Sequence, residues 1–314
     1  MKKVLVTGAA GTVGLQVIRF LLSEGKYEIT ALELKNKHNY KRLKTFRKRI
    51  NIVYGDVNDD GIVDALIKTH DVVIHLAGVL PPFANVREDL CKEVDYNGTQ
   101  NIVDAISNYN PNCFLLYASS TSVYGTHGED KEYSVKSDCK YDGYDYYSKY
   151  KIKAEKYIQK NLKHYSIFRL AYVLGDPGKE SLIYNVNFDS NVEMISSEDA
   201  GYAFVAAIDY QKEINKKVYN VSGGEKFRII FKDYLKELFR TYGLSVRFLS
   251  TYFMAEKNYS IGHYSDGDKL EELLHFRSKN IDVYYRSLEK YKHKISRLLP
   301  RLLVLPVLLV NRKK

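Results

Sequence analysis

Cysteine, proline and long apolar runs are all scarce in this 314-residue chain. Its three cysteines, Cys91, Cys113 and Cys139, are an odd set with no C-x-x-C pair and no zinc-ligand spacing. That argues against a disulfide scaffold, points to a reducing compartment and leaves no metal site visible. With only 6 prolines and 45% apolar residues, Pro-rich, collagen-like and disordered chains are excluded. The longest apolar run, Leu302 to Val310, is interrupted by Pro306 and has under half of the roughly 20 residues that a spanning helix needs. Met1-Lys2-Lys3 passes at once into Val4-Leu5-Val6 and then glycine, so no secretory signal is expected and the expected location is cytoplasmic.

What remains is an ordinary globular composition, long enough to bury a sizeable core. The net charge of +10 accompanies enrichment in Lys, Tyr, Asn and Ile that biased codon usage can account for, and no nucleic-acid partner is expected. Strand-like and helix-like segments alternate from the start. Lys3–Thr7, Tyr27–Leu34, Ile50–Tyr54, Val72–Leu76, Cys113–Ala118, Ser166–Leu170 and Lys217–Val221 read as strands. Thr12–Glu24, Ile62–Lys68, Val94–Asn108, Lys149–Leu162 and Asp233–Tyr242 read as helices. Strand–helix–strand units of this length demand parallel pairing and right-handed crossovers, hence an α/β fold with a doubly wound, Rossmann-like parallel sheet. Beyond Gly175 the pattern loosens into a compact C-terminal lobe. The expected organisation is a nucleotide-binding domain over 1–170, a substrate lobe over 171–296 interleaved with the sheet, and a tail over 297–314.

The first turn carries chemistry. Gly8, Gly11 and Gly14 are spaced three and three between a strand and a helix. There they permit a tight turn, close backbone approach to a pyrophosphate and close helix–strand packing, while the helix start at Thr12-Val13 offers amide groups to phosphates. Glu33 ends the second strand nineteen residues after Gly14. An acidic side chain there accepts from ribose hydroxyls and repels a 2′-phosphate, which favours NAD over NADP. Lys35, Lys37 and Lys41 follow closely and would soften that repulsion.

A Tyr-x-x-x-Lys pair puts a phenol and an ammonium one helical turn apart, and the ammonium makes the phenol a usable acid or base near neutral pH. With 28 tyrosines and 34 lysines, about three such pairs are expected by chance, and Tyr40/Lys44 and Tyr147/Lys151 both occur. Position discriminates between them. Tyr147/Lys151 follows the strand that ends in Ser119-Ser120, and Ser120 lies at a strand's C-terminal end, the edge where open α/β sheets bind ligands.

These stretches resemble the extended short-chain dehydrogenase/reductases of the NAD-dependent epimerase/dehydratase group, from about residue 3 to about 290. The similarity rests on Thr7-Gly8-Ala9-Ala10-Gly11-Thr12-Val13-Gly14, Gly55-Asp56-Val57, His75-Leu76-Ala77-Gly78, Gly98-Thr99-Gln100-Asn101, the Ser119-to-Gly125 run, Tyr147/Lys151 and Asp199-Ala200 ahead of a helix. The resemblance implies that Asp56, with Val57 beside it, contacts the adenine, Leu76, Ala77 and Gly78 line the cofactor, and Lys151 holds the nicotinamide ribose. It also implies that Ser120 is the catalytic hydroxyl and Tyr147 the acid/base, since Tyr144, Tyr146 and Tyr150 lack both the Lys four later and the Glu eight later. The expected cofactor is NAD, and the expected chemistry is hydride exchange at a carbinol carbon of a sugar-like small molecule, nucleotide-linked or not. Dimers through two helices are common in this family, which allows a homodimer. Two alternatives stay open: a non-catalytic dinucleotide sensor, and a membrane-associated reductase of a lipid-like alcohol.

Departures bear on the substrate. Asp95 stands where the family usually has Asn, adding a charge near the nicotinamide side. Tyr172 stands where nucleotide-sugar members carry Asn, and the stretch from Arg169 to Asp199 is short for a nucleotide-sugar lobe. Arg169 reads as a structural pair partner rather than a substrate clamp, and His75 as a satisfied core or cofactor-side histidine. Pro81-Pro82-Phe83 fits a pocket wall or a rigid loop, and Tyr184, Phe188 and Met194 line a pocket or fill the lobe's core. The tail, apolar between Arg301 and Arg312-Lys313-Lys314, suits contact with an anionic membrane surface or docking on this protein or a second subunit.

Overall fold

The computed structural model describes residues 1–80, 84, 87–125, 132–141, 143, 146–175, 186–241 and 262–289. The chain opens β1 (Lys2–Thr7), α1 (Thr12–Glu24), β2 (Tyr27–Glu33), α2 (Lys37–Leu43), β3 (Asn51–Tyr54), α3 (Asp60–Ile67) and β4 (Val72–His75). A short α4 (Glu88–Cys91) runs into a π-helical segment (Lys92–Asn97) and then α5 (Gly98–Tyr109). There follow β5 (Phe114–Ser120), β6 (Glu132–Tyr133), α6 (Tyr146–Asn161), β7 (Tyr165–Leu170), β8 (Tyr172–Leu174) and β9 (Asn191–Ser196). Short 3₁₀ turns aside, the remaining described elements are α7 (Ser197–Ala206), α8 (Gln211–Ile214), β10 (Lys217–Val221), β11 (Arg228–Ile230), α9 (Phe231–Thr241), β12 (His263–Tyr264), α10 (Asp268–Leu274) and α11 (Ile281–Leu288).

Seven strands form one parallel sheet in the order β10-β7-β5-β4-β1-β2-β3. Strand order reverses between β1 and β4, the switch point where such sheets open a crevice at the strands' C-terminal ends. Helices cover both faces, so the central strands are buried over most of their length. Alternate residues divide between two cores. Val4, Val6, Val72, Ile74, Phe114 and Leu116 meet α1 and α7 on one face, while Leu5, Val73, Leu115 and Tyr117 meet α3, α5 and α6 on the other.

A third core lies in the C-terminal lobe. Three strands in the order β11-β9-β8 pack Met194, Val192 and Leu174 against Phe231, Tyr234, Leu235 and Leu238 of α9 and Tyr285 of α11. Phe188 and Met194 belong to that core; Tyr184, Tyr144, Pro81-Pro82-Phe83 and the tail over 297–314 lie outside the described residues. The chain beyond residue 170 also returns to the main sheet as β10 and covers α1 with α7.

Two sequence expectations are corrected here. Asp199 and Ala200 lie inside a helix rather than ahead of it, because Ser196 caps α7 by accepting from the Asp199 amide at 2.9 Å. The helix expected over 94–108 begins as π-helix: the Gly98 amide reaches back to Glu93, five residues earlier, before regular α-helix resumes.

Candidate active site

Because the seven strands are parallel, their C-terminal ends lie along one edge. That edge gathers the glycine turn after β1, Glu33 at the end of β2, Asp56-Val57 after β3, Leu76-Ala77-Gly78 after β4 and Ser120 at the end of β5. The turn is closed by the Gly11 amide donating to Gly8 O at 2.9 Å. Gly8 has φ +65°, and a Cβ there would meet the Ala77 amide nitrogen at 2.7 Å. A Cβ on Gly14 would lie 2.4 Å from Gly8 O, so α1 can begin tight under the turn only with hydrogen at that position. No side chain caps α1 at Gly11, and Thr12 and Val13 in its first turn are half-exposed. A close backbone cradle leading to an uncapped helix start fits the diphosphate of a dinucleotide.

Glu33 is tied to that cradle. Its Oε2 accepts from the Ala10 amide at 2.8 Å, and its Oε1 accepts from the Leu34 amide and Asn39 Nδ2, each at 3.0 Å. Burial raises its pKa against those backbone bonds, and the nearby charges that pull it back down include His38 and Arg42. Asp56 accepts from the Asn58 amide and side chain at 2.9 and 3.0 Å, which fixes the turn after β3, while Val57 is buried.

Beneath the edge, His75 is held from both sides. Thr7 Oγ1 lies 2.6 Å from its Nδ1, and Thr99 Oγ1 lies 3.0 Å from its Nε2. Since Thr99 donates its proton to Asp95 O at 2.8 Å, its oxygen accepts from His75 Nε2–H, and Thr7 then donates to Nδ1. Full burial, with the Lys151 ammonium nearby, lowers the His75 pKa to about 3. His75 is therefore a neutral structural residue, as its apolar strand suggested.

The first turns of α6 bring Tyr147 and Lys151 to the end of β5. Lys151 is buried; its Nζ donates to Ala118 O at 3.0 Å, pairs with Asp95 Oδ1 at 3.3 Å and lies 5.5 Å from the centre of the Tyr147 ring. Tyr147 packs with Ala84, Cys91 and Tyr150. Ser120 Oγ accepts from the Ser122 amide at 3.1 Å and caps the short helical turn Thr121–Tyr124. Of the other Tyr-Lys pair, Tyr40 lies midway along α2 and is exposed, and Lys44 caps that helix's C-terminal end.

Glu155, one turn beyond Lys151 on the same helix, accepts from Ser119 Oγ at 2.5 Å and from Arg169 Nε and Nη2 at 3.0 and 2.7 Å. Arg169 also donates to Tyr124 Oη at 3.1 Å; Tyr124 donates to Asn220, and Asn220 to Asp266. This buried chain ties β5, α6, β7 and β10 to the C-terminal lobe. Asp199 fastens the lobe again by accepting from the Ser278 amide and hydroxyl at 3.0 and 2.8 Å. Sequence pattern gave no sign of the Asn220–Asp266 and Asp199–Ser278 links, whose partners lie 46 and 79 residues apart. Among the described residues, no acidic, His or Cys cluster could hold a metal ion, and no helix is long and apolar enough to cross a membrane.

The model of the 3-beta hydroxysteroid dehydrogenase/isomerase family matches residues 5–165, just over half of the chain. CDP-paratose 2-epimerase from Salmonella typhi is 31% identical over 153 residues, covering 46% of this chain and 45% of that protein. Human 3 beta-hydroxysteroid dehydrogenase type 7 is 33% identical over 124 residues, covering 38% of this chain and 33% of that one. The matches thus span less than half the length of either curated relative. In fold, a dTDP-glucose 4,6-dehydratase from Streptomyces venezuelae, solved with NAD bound, superposes with a TM-score of 0.76 at 17% identity, covering 94% of this chain and 98% of that one.

Proposed function

Because the chain belongs to the 3-beta hydroxysteroid dehydrogenase/isomerase family, within the extended short-chain dehydrogenase/reductases, we propose that it binds NAD and catalyses hydride exchange at a carbinol carbon. The observation that carries this reading is the placement of Lys151. Its buried ammonium lies at the C-terminal end of β5, beside Tyr147 and on the same edge as the glycine cradle. Gly8, Gly11, Thr12, Val13 and Gly14 would hold the diphosphate, Glu33 the adenosine ribose, Asp56 and Val57 the adenine, and Leu76, Ala77 and Gly78 the inner face of the nucleotide.

The bound nucleotide would supply the hydride acceptor and donor. The chain's own residues handle the proton and the alignment. Tyr147 takes the proton from the substrate hydroxyl or returns it, and Lys151 provides the adjacent positive charge that favours the phenolate while this happens. Ser120 has its acceptor side occupied by the Ser122 amide and a hydroxyl proton to give, which suits it to hold the substrate oxygen. The stretch after residue 170 would form the substrate lobe, and the small-molecule substrate is taken as sugar-like, in keeping with the epimerase and dehydratase relatives.

A second substrate reading, an apolar alcohol of the steroid or isoprenoid kind, is favoured by the family model and by Leu80, an apolar side chain 63% exposed just beyond Gly78. One experiment separates the two. The purified chain, loaded with NAD, is offered nucleotide-linked sugars and sterol alcohols, and products are read by mass spectrometry beside a Tyr147→Phe variant. Turnover of one class that is lost in Tyr147→Phe, with NAD affinity kept within a few-fold, supports the assignment. Equal turnover by the variant contradicts it.

A further inference from the structure

Asp95 is completely buried and held at several atoms. Its Oδ1 pairs with Lys151 Nζ at 3.3 Å, its Oδ2 accepts from the Val79 amide at 3.2 Å, and its backbone carbonyl accepts from Thr99. It is presented by the π-helical segment, whose wider turn precedes α5. The opposing backbone is shaped to it: a Cβ on Gly78 would lie 2.6 Å from Asp95 Oδ1 and 3.4 Å from Lys151 Nζ. Of the other titratable groups packed there, His75 is neutral, and burial holds the Tyr117 phenol in its protonated form. Lys151 and Asp95 are thus a matched pair of opposite charges under the candidate nucleotide site.

That pairing changes what the site prefers to hold. A buried ammonium alone repels a cationic ligand ring, and in a poorly screened interior such repulsion extends over several ångströms. The oxidised nicotinamide ring carries one positive charge and the reduced ring none. An Asn at position 95 would leave the Lys151 charge uncompensated, whereas the carboxylate, its ion-pair partner at 3.3 Å, offsets it. We propose that Asp95 is a positioning residue that orients Lys151 and, by offsetting part of its charge, tilts the site toward the oxidised form of the nicotinamide nucleotide. This rests on the NAD reading above.

The test is the ratio of dissociation constants for NADH and NAD+, measured by calorimetry at pH near 8 on the full-length protein and on Asp95→Asn. Losing the carboxylate should lower that ratio by about five- to tenfold, because the oxidised form alone loses its compensation. A structural defect at the pair would weaken both forms together and leave the ratio unchanged. Lys151→Met is the mirror variant and also serves if Asp95→Asn does not fold: it leaves the carboxylate without its cation and should move the ratio the opposite way. If both nucleotides bind and the ratio stays within twofold in the variants, the role of Asp95 is wrong while the NAD reading stands. If neither nucleotide binds the unaltered protein, the NAD reading itself fails.

Discussion

Replacing Arg169 by methionine tests whether this arginine is structural, and its partners set the expected size of the effect. The guanidinium and the Glu155 carboxylate are 5% and 4% exposed, joined by two hydrogen bonds, and Arg169 also donates to Tyr124 and Val135 O. Methionine fills most of the volume but leaves Glu155 buried with Ser119 as its remaining hydrogen-bond partner among the contacts described above. Breaking a buried pair from one side costs about 3–5 kcal/mol, because the remaining charge is stranded. For a chain of this size that corresponds to a fall of about 5–8 °C in the unfolding midpoint. Urea titration followed by circular dichroism reads it directly. Glu155→Gln in the same chain should recover part of the loss, since the stranded charge is then gone. A loss below about 1 kcal/mol, with substrate affinity falling instead, would refute the structural role and make Arg169 a substrate clamp.

Three further outcomes follow from the same geometry. Gly14→Ala should weaken NAD binding by more than about tenfold, since the added methyl meets Gly8 O at 2.4 Å and must push the cradle open; unchanged affinity by calorimetry would count against the cradle. Glu33→Gln should narrow the preference for NAD over NADP by about tenfold, read as the ratio of the two dissociation constants, while an unaltered ratio would remove Glu33 from the ribose site. His75 has a native pKa of about 3 against an ordinary 6.5, so between those values the unfolded chain takes up a proton that the native chain refuses. Its contribution to stability is complete above about pH 6.5 and drains away as pH falls toward 3, with a slope of about 1.4 kcal/mol per pH unit. Denaturant midpoints followed from neutral to acid pH should therefore fall more steeply for the unaltered chain than for His75→Asn, and equal slopes would show that His75 is not buried neutral.

The half of the fold that could be read from sequence is the half governed by local pattern. Val4, Val6 and the stripe Val17, Ile18, Leu21 announce β1 and α1 because a covered parallel strand and an amphipathic helix need those spacings. The lobe was obscure because its strands are three residues long at β8 and β11, too short for a period to register. The π-helical turn at Lys92–Asn97 was hidden for a different reason: its extra residue leaves the apolar spacing of Val94, Ile102 and Ile106 looking like one helix. At the candidate site, the glycines, Glu33, Ser120, Tyr147 and Lys151 could be proposed from the sequence because each follows a strand end or shares a helix turn. The Glu155–Arg169–Tyr124–Asn220 chain could not, since only tertiary packing brings those positions together.

Titration of the purified chain with NAD+ in a calorimeter, beside the Gly14→Ala variant, is the measurement that bears most directly on the account. One nucleotide per chain, with heat that is lost or greatly weakened in the variant, is the predicted result. Absence of heat and of any thermal stabilisation from either nicotinamide form at millimolar concentration would contradict it.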